Sequence, residues 1–505
     1  MTKDNQRIPD LVAPLLLAGA LIIVYLATLA PGLTWANDGA DGGDLIAAAA
    51  TGGIAHPTGY PVYLLIARFF QSFPIGSLAY RTNLLSAIAM ALASVLVYVL
   101  VRRQLDTSSA WLPSIISGFA FGLSPLAWSQ AVITEVYALN ALFVALVMYL
   151  SADVVSEKSR KRADVILGIL LGLGIGVHAT IILLIPIVIL IRLLRPQIPA
   201  RKKTFWKRWQ LDWMSALRTF TFILVGWTPH LLLPLWASSH PPVDWGDPIN
   251  WAREWWLVSG QLYRDNLFGV AYVDLWSRLQ LWAGLVIGQF GLPGLLIGLL
   301  GLMVFFVPSR LMTLSIWNVL AYSLFAINYN TNDWYVYLIP AFLSIAIWIG
   351  IGMHGLISLA SSKNRWSGWL IAMAVLSYLF ILSVMDWPQV DASHNTQAED
   401  FGRQVMTETP LNAFVFVQGD QAIFATWYFH YALHQRPDIV VVAPELLSFD
   451  WYQQIIRSTY PQLNLPEQFP WPVVLEATNP TRLFCDAWYA GQMEMQCLDS
   501  KSLSP

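Results

Sequence analysis

Two aspartates in a run of small side chains, Asp41 and Asp44 in DGGDLIAAAA, are the groups in this sequence best placed to do chemistry. An ionisable side chain beside a membrane-spanning stretch is costly to bury, so it marks a functional site by default. The surrounding glycines and alanines let backbone and a bulky ligand approach closely. Asp44 falls in the first turn of an expected helix, where the dipole favours an anion, and Asp41 lies at or just before that helix, facing a cavity. Asp38 reads as a solvated loop acid. In GIAHPTGYPVY, two prolines and two glycines fix His56 in position, with Tyr60 four residues on. A turn histidine bonded to a local carbonyl is the alternative there. Glu135 is the only acid in WSQAVITEVYALNALF, near Tyr137 and Asn140. It must meet a cation, a hydroxyl or water, or serve helix packing. His178 stands isolated in GLGIGVHAT. The stretch DWGDPINWAREWWLVSGQLYRDNLFG, residues 244–269 with Asp247, alternates aromatics with Arg253 and Arg264. It can form an aromatic belt at a membrane interface, or hold a sugar by stacking with an arginine on a phosphate. No Walker loop, dinucleotide glycine pattern, zinc spacing or nucleophile elbow occurs in a suitable context, so nucleotide-driven chemistry is unsupported.

The elements that must position these groups are membrane helices. The chain has 505 residues, 56% hydrophobic and 12% charged, a polytopic membrane composition rather than that of a soluble domain. Apolar runs predict about eleven spans, near 11–31, 82–101, 110–128, 131–151, 164–177, 179–191, 216–236, 279–307, 311–327, 334–360 and 366–385. The first is longer than a signal-peptide core and is expected to stay as an anchor. Basic residues concentrate in cytoplasmic loops. With the N-terminus cytoplasmic, nineteen Lys and Arg fall inside and five in the outer loops. The run 164–191 is the ambiguous element: it is one tilted helix or two half-spans turning at His178, with Gly172, Gly174 and Gly176 suited to a break or to close packing. The two-span reading keeps the basic RKKTFWKRW inside and puts every polar island on one outer face.

Beyond Asp386 the hydrophobic runs shorten and charge returns. Residues 1–385 read as the transmembrane domain and 386–505 as a small soluble extracytoplasmic α/β domain. AFVFVQGD and DIVVVAP read as strands, QAIFATWYFHYALHQ and FDWYQQIIRSTY as helices. Cys485 and Cys497 are either bridged in an oxidising compartment or left as two thiols.

The block DGGDLIAAAATGGIAHPTGYPVYLL, with RTNLLSAIAMALA, WSQAVITEVYALNALF, the His178 turn, DWGDP and RPDIVVV, resembles the domain-of-unknown-function membrane family that includes the transmembrane-protein-260-type protein O-mannosyltransferases. Members usually show Asp-Ser-Gly-Glu where this chain has Asp41, Gly42, Gly43 and Asp44, and His-Pro-Pro-Gly-Tyr-Pro where it has Thr58 third. The carboxylate pair and the histidine survive both departures. The resemblance implies a GT-C glycosyltransferase that moves a sugar, mannose in that family, from a polyprenyl phosphate to a hydroxyl of a protein or glycan acceptor, with inversion. It implies membrane lipid and the lipid-linked donor as partners, no nucleic acid, no firmly required cofactor, and leaves divalent metal open. On this reading Asp41 is the general base, with Asp44 either taking that catalytic role in its place or orienting the base and binding sugar hydroxyls. Arg81 and Arg264 are candidates for the phosphate, and His56, Tyr60, Glu135, His178 and Asp247 for orienting the base or binding the sugar. The alternative is a transporter or lipid flippase lined by Glu135 and the break at His178.

Overall fold

The computed structural model describes residues 3–105, 107, 109–152, 157–196, 209–306, 309–362, 364–463, 465, 475, 478–479 and 481–498. The expected basic segment 201–208 lies outside the described residues. Long apolar sequence makes helix, and the chain is mainly helical. It begins with α1 (Lys3–Thr28), a loop, then two helices inside the first polar island, α2 (Gly42–Thr51) and α3 (Pro61–Gln71). α4 (Leu78–Leu105), α5 (Trp111–Gly122), α6 (Pro125–Ala131) and α7 (Tyr137–Ala152) follow. Pro125 breaks the expected 110–128 span, since its ring cannot continue the helix before it.

α8 (Glu157–Ile175) and α9 (Ile185–Leu193) flank the His178 turn, with a 3-10 segment at Ala179–Leu184 between them. The chain reverses there: Arg160 near the start of α8 donates to the carbonyl of Arg192 at the end of α9, at 2.9 Å. The half-span reading of 164–191 therefore matches the path of the backbone. A two-stranded ribbon, β1 (Leu194–Pro196) and β2 (Trp209–Leu211), precedes α10 (Trp213–Trp227) and α11 (Leu232–Ala237). α8 and α10 pack backbone to backbone, because Gly172 faces the carbonyl of Ile223 where an added Cβ would lie 2.2 Å away. After α12 (Trp251–Val258) come α13 (Leu275–Met303), α14 (Arg310–Asn328), α15 (Ile339–Ser361) and α16 (Arg365–Val390). α15 is buried through most of its length, at the centre of the bundle. Six helical stretches among the described residues are long and apolar enough to cross a membrane, 78–105, 213–237, 272–303, 310–328, 334–361 and 366–390. Shorter apolar helices occupy 12–28, 111–122, 137–152 and 179–193.

α16 runs past Met385 to Val390, so the composition shift at 386 falls inside its last turns. Beyond it lie α17 (Gln397–Glu408), β3 (Phe414–Val417), α18 (Asp420–Trp427), β4 (Val440–Val442), α19 (Asp450–Thr459), β5 (Phe484–Tyr489) and β6 (Met493–Leu498). The sheet order is β4-β3-β5-β6, parallel except for the β5–β6 hairpin, across which Cys485 and Cys497 are disulfide-bonded. α18 is buried on all sides rather than amphipathic. It lies between the sheet and α2, and the carbonyl of Phe424 would sit 2.3 Å from a Cβ at Gly43.

Candidate functional site

α2 supplies the first carboxylates. Asp41 is its N-cap, yet its side chain makes no capping hydrogen bond, so the carboxylate is free to point away from the helix. Asp44, one turn on, is fully buried, and three donors converge on it. Its Oδ2 accepts from the His56 backbone N–H at 2.9 Å and pairs with His56 Nδ1 at 2.7 Å. Its Oδ1 accepts from Trp245 Nε1 at 3.0 Å. The Trp245 segment reaches α2 by pairing with the strand-like residues before His56: Ile54 N–H donates to the Val243 carbonyl at 2.9 Å. Both oxygens of Asp44 are consumed, which leaves no face for an incoming hydroxyl; of the roles expected for Asp44, this geometry suits orienting the base.

With Nδ1 fixed by Asp44, His56 turns Nε2 towards Asp41 Oδ2 at 3.4 Å and the Tyr60 hydroxyl at 3.2 Å. Tyr60 holds a left-handed backbone (φ 44°) as the N-cap of α3, a conformation that costs on the order of 1 kcal/mol and is sustained here by packing. The Asp41 side chain keeps 38% of its exposure, whereas that of His56 keeps 8%. For Asp41 its surroundings of protein are the largest influence and raise its pKa above the usual carboxylate value; the His56 charge opposes the rise and Asp44 adds to it. For His56 burial is the largest influence and disfavours the imidazolium. The charges of Asp41 and Asp44 outweigh it and lift the pKa to about 9. The result is a chain from Trp245 through Asp44 and His56 to one accessible carboxylate.

An aromatic wall stands beside it. The His178 ring lies parallel to Tyr60 at 6.2 Å and tilts against Tyr137 at 5.4 Å and Tyr337 at 5.7 Å. Its Nδ1 is bonded to Thr180 Oγ1 at 2.7 Å, which fixes the ring. Glu135, 4% exposed, feels the charges of Asp41 and Asp333, and the Tyr137 hydroxyl reaches Asp333 at 3.5 Å. The 261–267 turn joins this group, because Asn330 N–H donates to the Asn266 carbonyl at 2.9 Å, and its Tyr263 senses Asp41. Arg264 in that turn is exposed, and its guanidinium makes no hydrogen bond or ion pair among the described residues. Arg278, in the first turn of α13, reaches Asn330 at 3.4 Å through Nη2 and lies over the Trp334 ring at 4.9 Å, while its buried Nη1 has no hydrogen-bond partner among the described residues.

Three sequence expectations land elsewhere. Arg81 does not join the cluster: its guanidinium donates to the carbonyls of Gln71, Ile75 and Gly76 at 2.6, 2.7 and 2.9 Å, closing the turn after α3. Asp247 pairs with Arg253, which also binds Asp450 of α19 at 3.0 Å, so it ties the 244–253 loop to the C-terminal unit. Asp38 is not simply solvated, since it accepts from the Tyr335 hydroxyl. Sequence reading missed the contribution of α18. Phe424 lies parallel to His56 at 6.4 Å, and the charge of Asp420 reaches the imidazole. It also missed Tyr263 and Asp333, whose only signal was their place in polar loops expected on the same side as Asp41, and Tyr337, which fell inside the expected span 334–360 but lies in the 3-10 turn Trp334–Leu338.

Residues 41–201 match the family model of the protein O-mannosyl-transferase TMEM260 N-terminal domain, and residues 398–480 match TMEM260-associated domain 2. The resemblance read from the motifs is thereby borne out. The protein O-mannosyl-transferase TMEM260 of Mus musculus is 26% identical over 468 residues, covering 85% of this chain and 62% of the relative. The corresponding protein of Dictyostelium discoideum is 24% identical over 502 residues, covering 88% and 58%. The chain thus spans about six-tenths of the length of these curated relatives. Among solved structures it is similar to ArnT from Cupriavidus metallidurans bound to undecaprenyl phosphate, with TM-score 0.58 and 12% identity over 94% of this chain and 92% of that one. The apo form of that protein gives 0.54 over 97% and 98%. At such identity the likeness is one of fold alone.

Proposed function

Because this chain carries both TMEM260 family domains, we propose that it is a membrane glycosyltransferase, transferring mannose from a polyprenyl phosphate to a hydroxyl of a protein acceptor. The names of its relatives support the reaction class, and the lipid phosphate bound by the fold neighbour supports the donor class. The observation that carries the reading is local. Asp41 is a carboxylate whose side chain keeps 38% of its exposure, backed by a histidine that a second, fully consumed carboxylate orients.

In the reaction, Asp41 takes the proton of the acceptor hydroxyl as its oxygen attacks the anomeric carbon. The bond from that carbon to the phosphate oxygen breaks, the polyprenyl phosphate leaves with the electron pair, and the configuration inverts. A raised pKa brings Asp41 nearer to the working pH, which makes it a stronger base than an ordinary aspartate. The phosphate is a competent leaving group and needs charge stabilisation rather than a proton. Arg264 and Arg278 are the cations assigned to it, in place of Arg81. His56 and Asp44 hold Asp41; Tyr60, Tyr137, His178 and Tyr337 offer the sugar a stacking wall, with Glu135 and Asp333 for its hydroxyls. The eleven-span arrangement belongs to the same proposal, with a cytoplasmic N-terminus and both the site and the unit after Val390 on the outer face.

Reconstituted protein supplied with labelled polyprenyl-phosphate mannose and an acceptor peptide tests this. Label is expected in the peptide. Movement of the labelled lipid between leaflets, with no glycopeptide formed, would contradict transfer and favour a flippase.

A further inference from the structure

At the end of the bundle remote from Asp41, a cavity of about 540 Å³ opens between the first turns of α8 and α10. α8 sets the separation. Its last residue, Ile175, adjoins the His178 turn, and at 1.5 Å per residue Arg160 stands about 22 Å from that end. The cavity and the His178 turn are therefore separated by about 22 Å along α8, most of the roughly 30 Å of a hydrocarbon core.

The cavity is cationic beyond what its own acids neutralise. Arg160, Lys161 and Arg218 line it together with Asp164 and Asp212. Both acids are already committed. Asp164, fully buried, pairs with Arg218 at 2.7 Å and Arg192 at 3.6 Å and accepts from Ser215 Oγ at 2.9 Å. Asp212 pairs with Arg160 at 3.2 Å and caps α10 through Ser215 N–H at 3.0 Å. Lys161 and its neighbour Arg162 are exposed and have no acidic partner among the described residues. A second hollow of about 520 Å³ shares Lys161 and Arg218 with the first and continues past Arg162 to Ile166 and Phe222. Between its basic side chains its accessible wall is mainly apolar, formed by Val165, Ile166 and Phe222, and Ile166 is 49% exposed. A basic basin leading into an apolar groove is complementary to an anion carried on a hydrocarbon stem.

We propose that this basin binds the phosphate headgroup of an anionic phospholipid, whose acyl chain lies in the groove along Ile166 and Phe222. Lys161 and Arg162 supply the uncompensated charge, and Arg160 and Arg218, held rigid by their carboxylate partners, present the remaining donors. The site is independent of the sugar-transfer reading and needs none of its residues.

The full chain in phosphatidylcholine nanodiscs, with phosphatidylglycerol titrated in and retained lipid measured by native mass spectrometry, tests the proposal. Phosphatidylglycerol should be held selectively and should raise the melting temperature. K161Q/R162Q removes two exposed, unpaired cations, so folding is kept; at roughly fivefold per cation near a membrane surface, affinity should fall about 30-fold. Ile166→Trp, which fills the groove without changing charge, should weaken phosphatidylglycerol binding. Equal retention of the two lipids, or unchanged affinity in K161Q/R162Q, would overturn the proposal. So would inorganic phosphate alone giving the full melting shift of phosphatidylglycerol, equally in wild type and Ile166→Trp, which would assign a soluble anion instead.

Discussion

Asp44→Asn separates a positioning carboxylate from a catalytic one. The wild-type oxygens accept three donors at 2.7–3.0 Å in a place with no solvent exposure. An asparagine offers one oxygen, and its NH₂ must face either His56 or Trp245, both of which donate. A buried donor left without an acceptor costs about 1–3 kcal/mol, and losing the charge-assisted bond to His56 adds a similar amount, so stability should fall by about 2–5 kcal/mol. The larger effect is electrostatic. With Asp44 present, His56 has a pKa of about 9. The stability linked to that shift is complete below the unfolded value near 6.5 and is lost as pH rises through about 9. Without Asp44 the hydrogen bond and the charge that favour the imidazolium are gone while burial still opposes it, so the His56 pKa should fall. As His56 gives up its charge, Asp41 loses the neighbour that most lowers its pKa, so that pKa should rise further. Each unit by which it passes the assay pH leaves about tenfold less of the basic form. Measured from pH 5 to 9 with the mannosyl-transfer assay, the acid limb of kcat/KM should move to higher pH in Asp44→Asn, with activity recovering in alkali. A loss independent of pH, as large as that of Asp41→Asn, would refute the positioning role.

Gly43→Ala places a methyl 2.3 Å from the Phe424 carbonyl and should push α18 off α2, costing about 1–3 kcal/mol and lowering transfer although no catalytic group is changed; comparison of melting and activity checks this. Arg264→Gln should raise the KM for the polyprenyl donor by about tenfold with kcat nearly unchanged, because this exposed arginine has no structural partner among the described residues. Reduction of Cys485–Cys497 should lower the melting temperature of the C-terminal unit, a short closed loop contributing about 2–4 kcal/mol, and a count of two free thiols in the native protein would contradict the bridge.

The sequence is most legible where one physical signal acts alone. The glycines before His178 allowed a break or close helix packing, and the structure has both: Gly172 packs on α10 and the backbone reverses beyond Ile175. The strand and helix pattern after residue 410 reappears as β3, α18, β4 and α19. Long-range pairing left no local trace. Nothing near Asp44 announces that Trp245 will take its second oxygen, so two aspartates of similar setting read as equals although one is consumed and the other is open. α2 is buried along most of its length and therefore lacks a polar face by which its packing could be read, and α18, buried all round, looked like part of a separate domain when it lies on α2. Arg81 matched the chemistry of a phosphate ligand, but three nearby carbonyls claim its guanidinium.

The role of Asp41 is tested most directly by single-turnover transfer from polyprenyl-phosphate mannose in Asp41→Asn, with Asp38→Asn beside it. The substitution keeps size and leaves the Asp44–His56 pair intact while removing the basic group, so the chemical step should slow by on the order of 10²- to 10⁴-fold with donor affinity little changed. Asp38→Asn retains an oxygen for the Tyr335 hydroxyl and should stay near wild type. Transfer at the wild-type rate by Asp41→Asn would contradict the carboxylate mechanism.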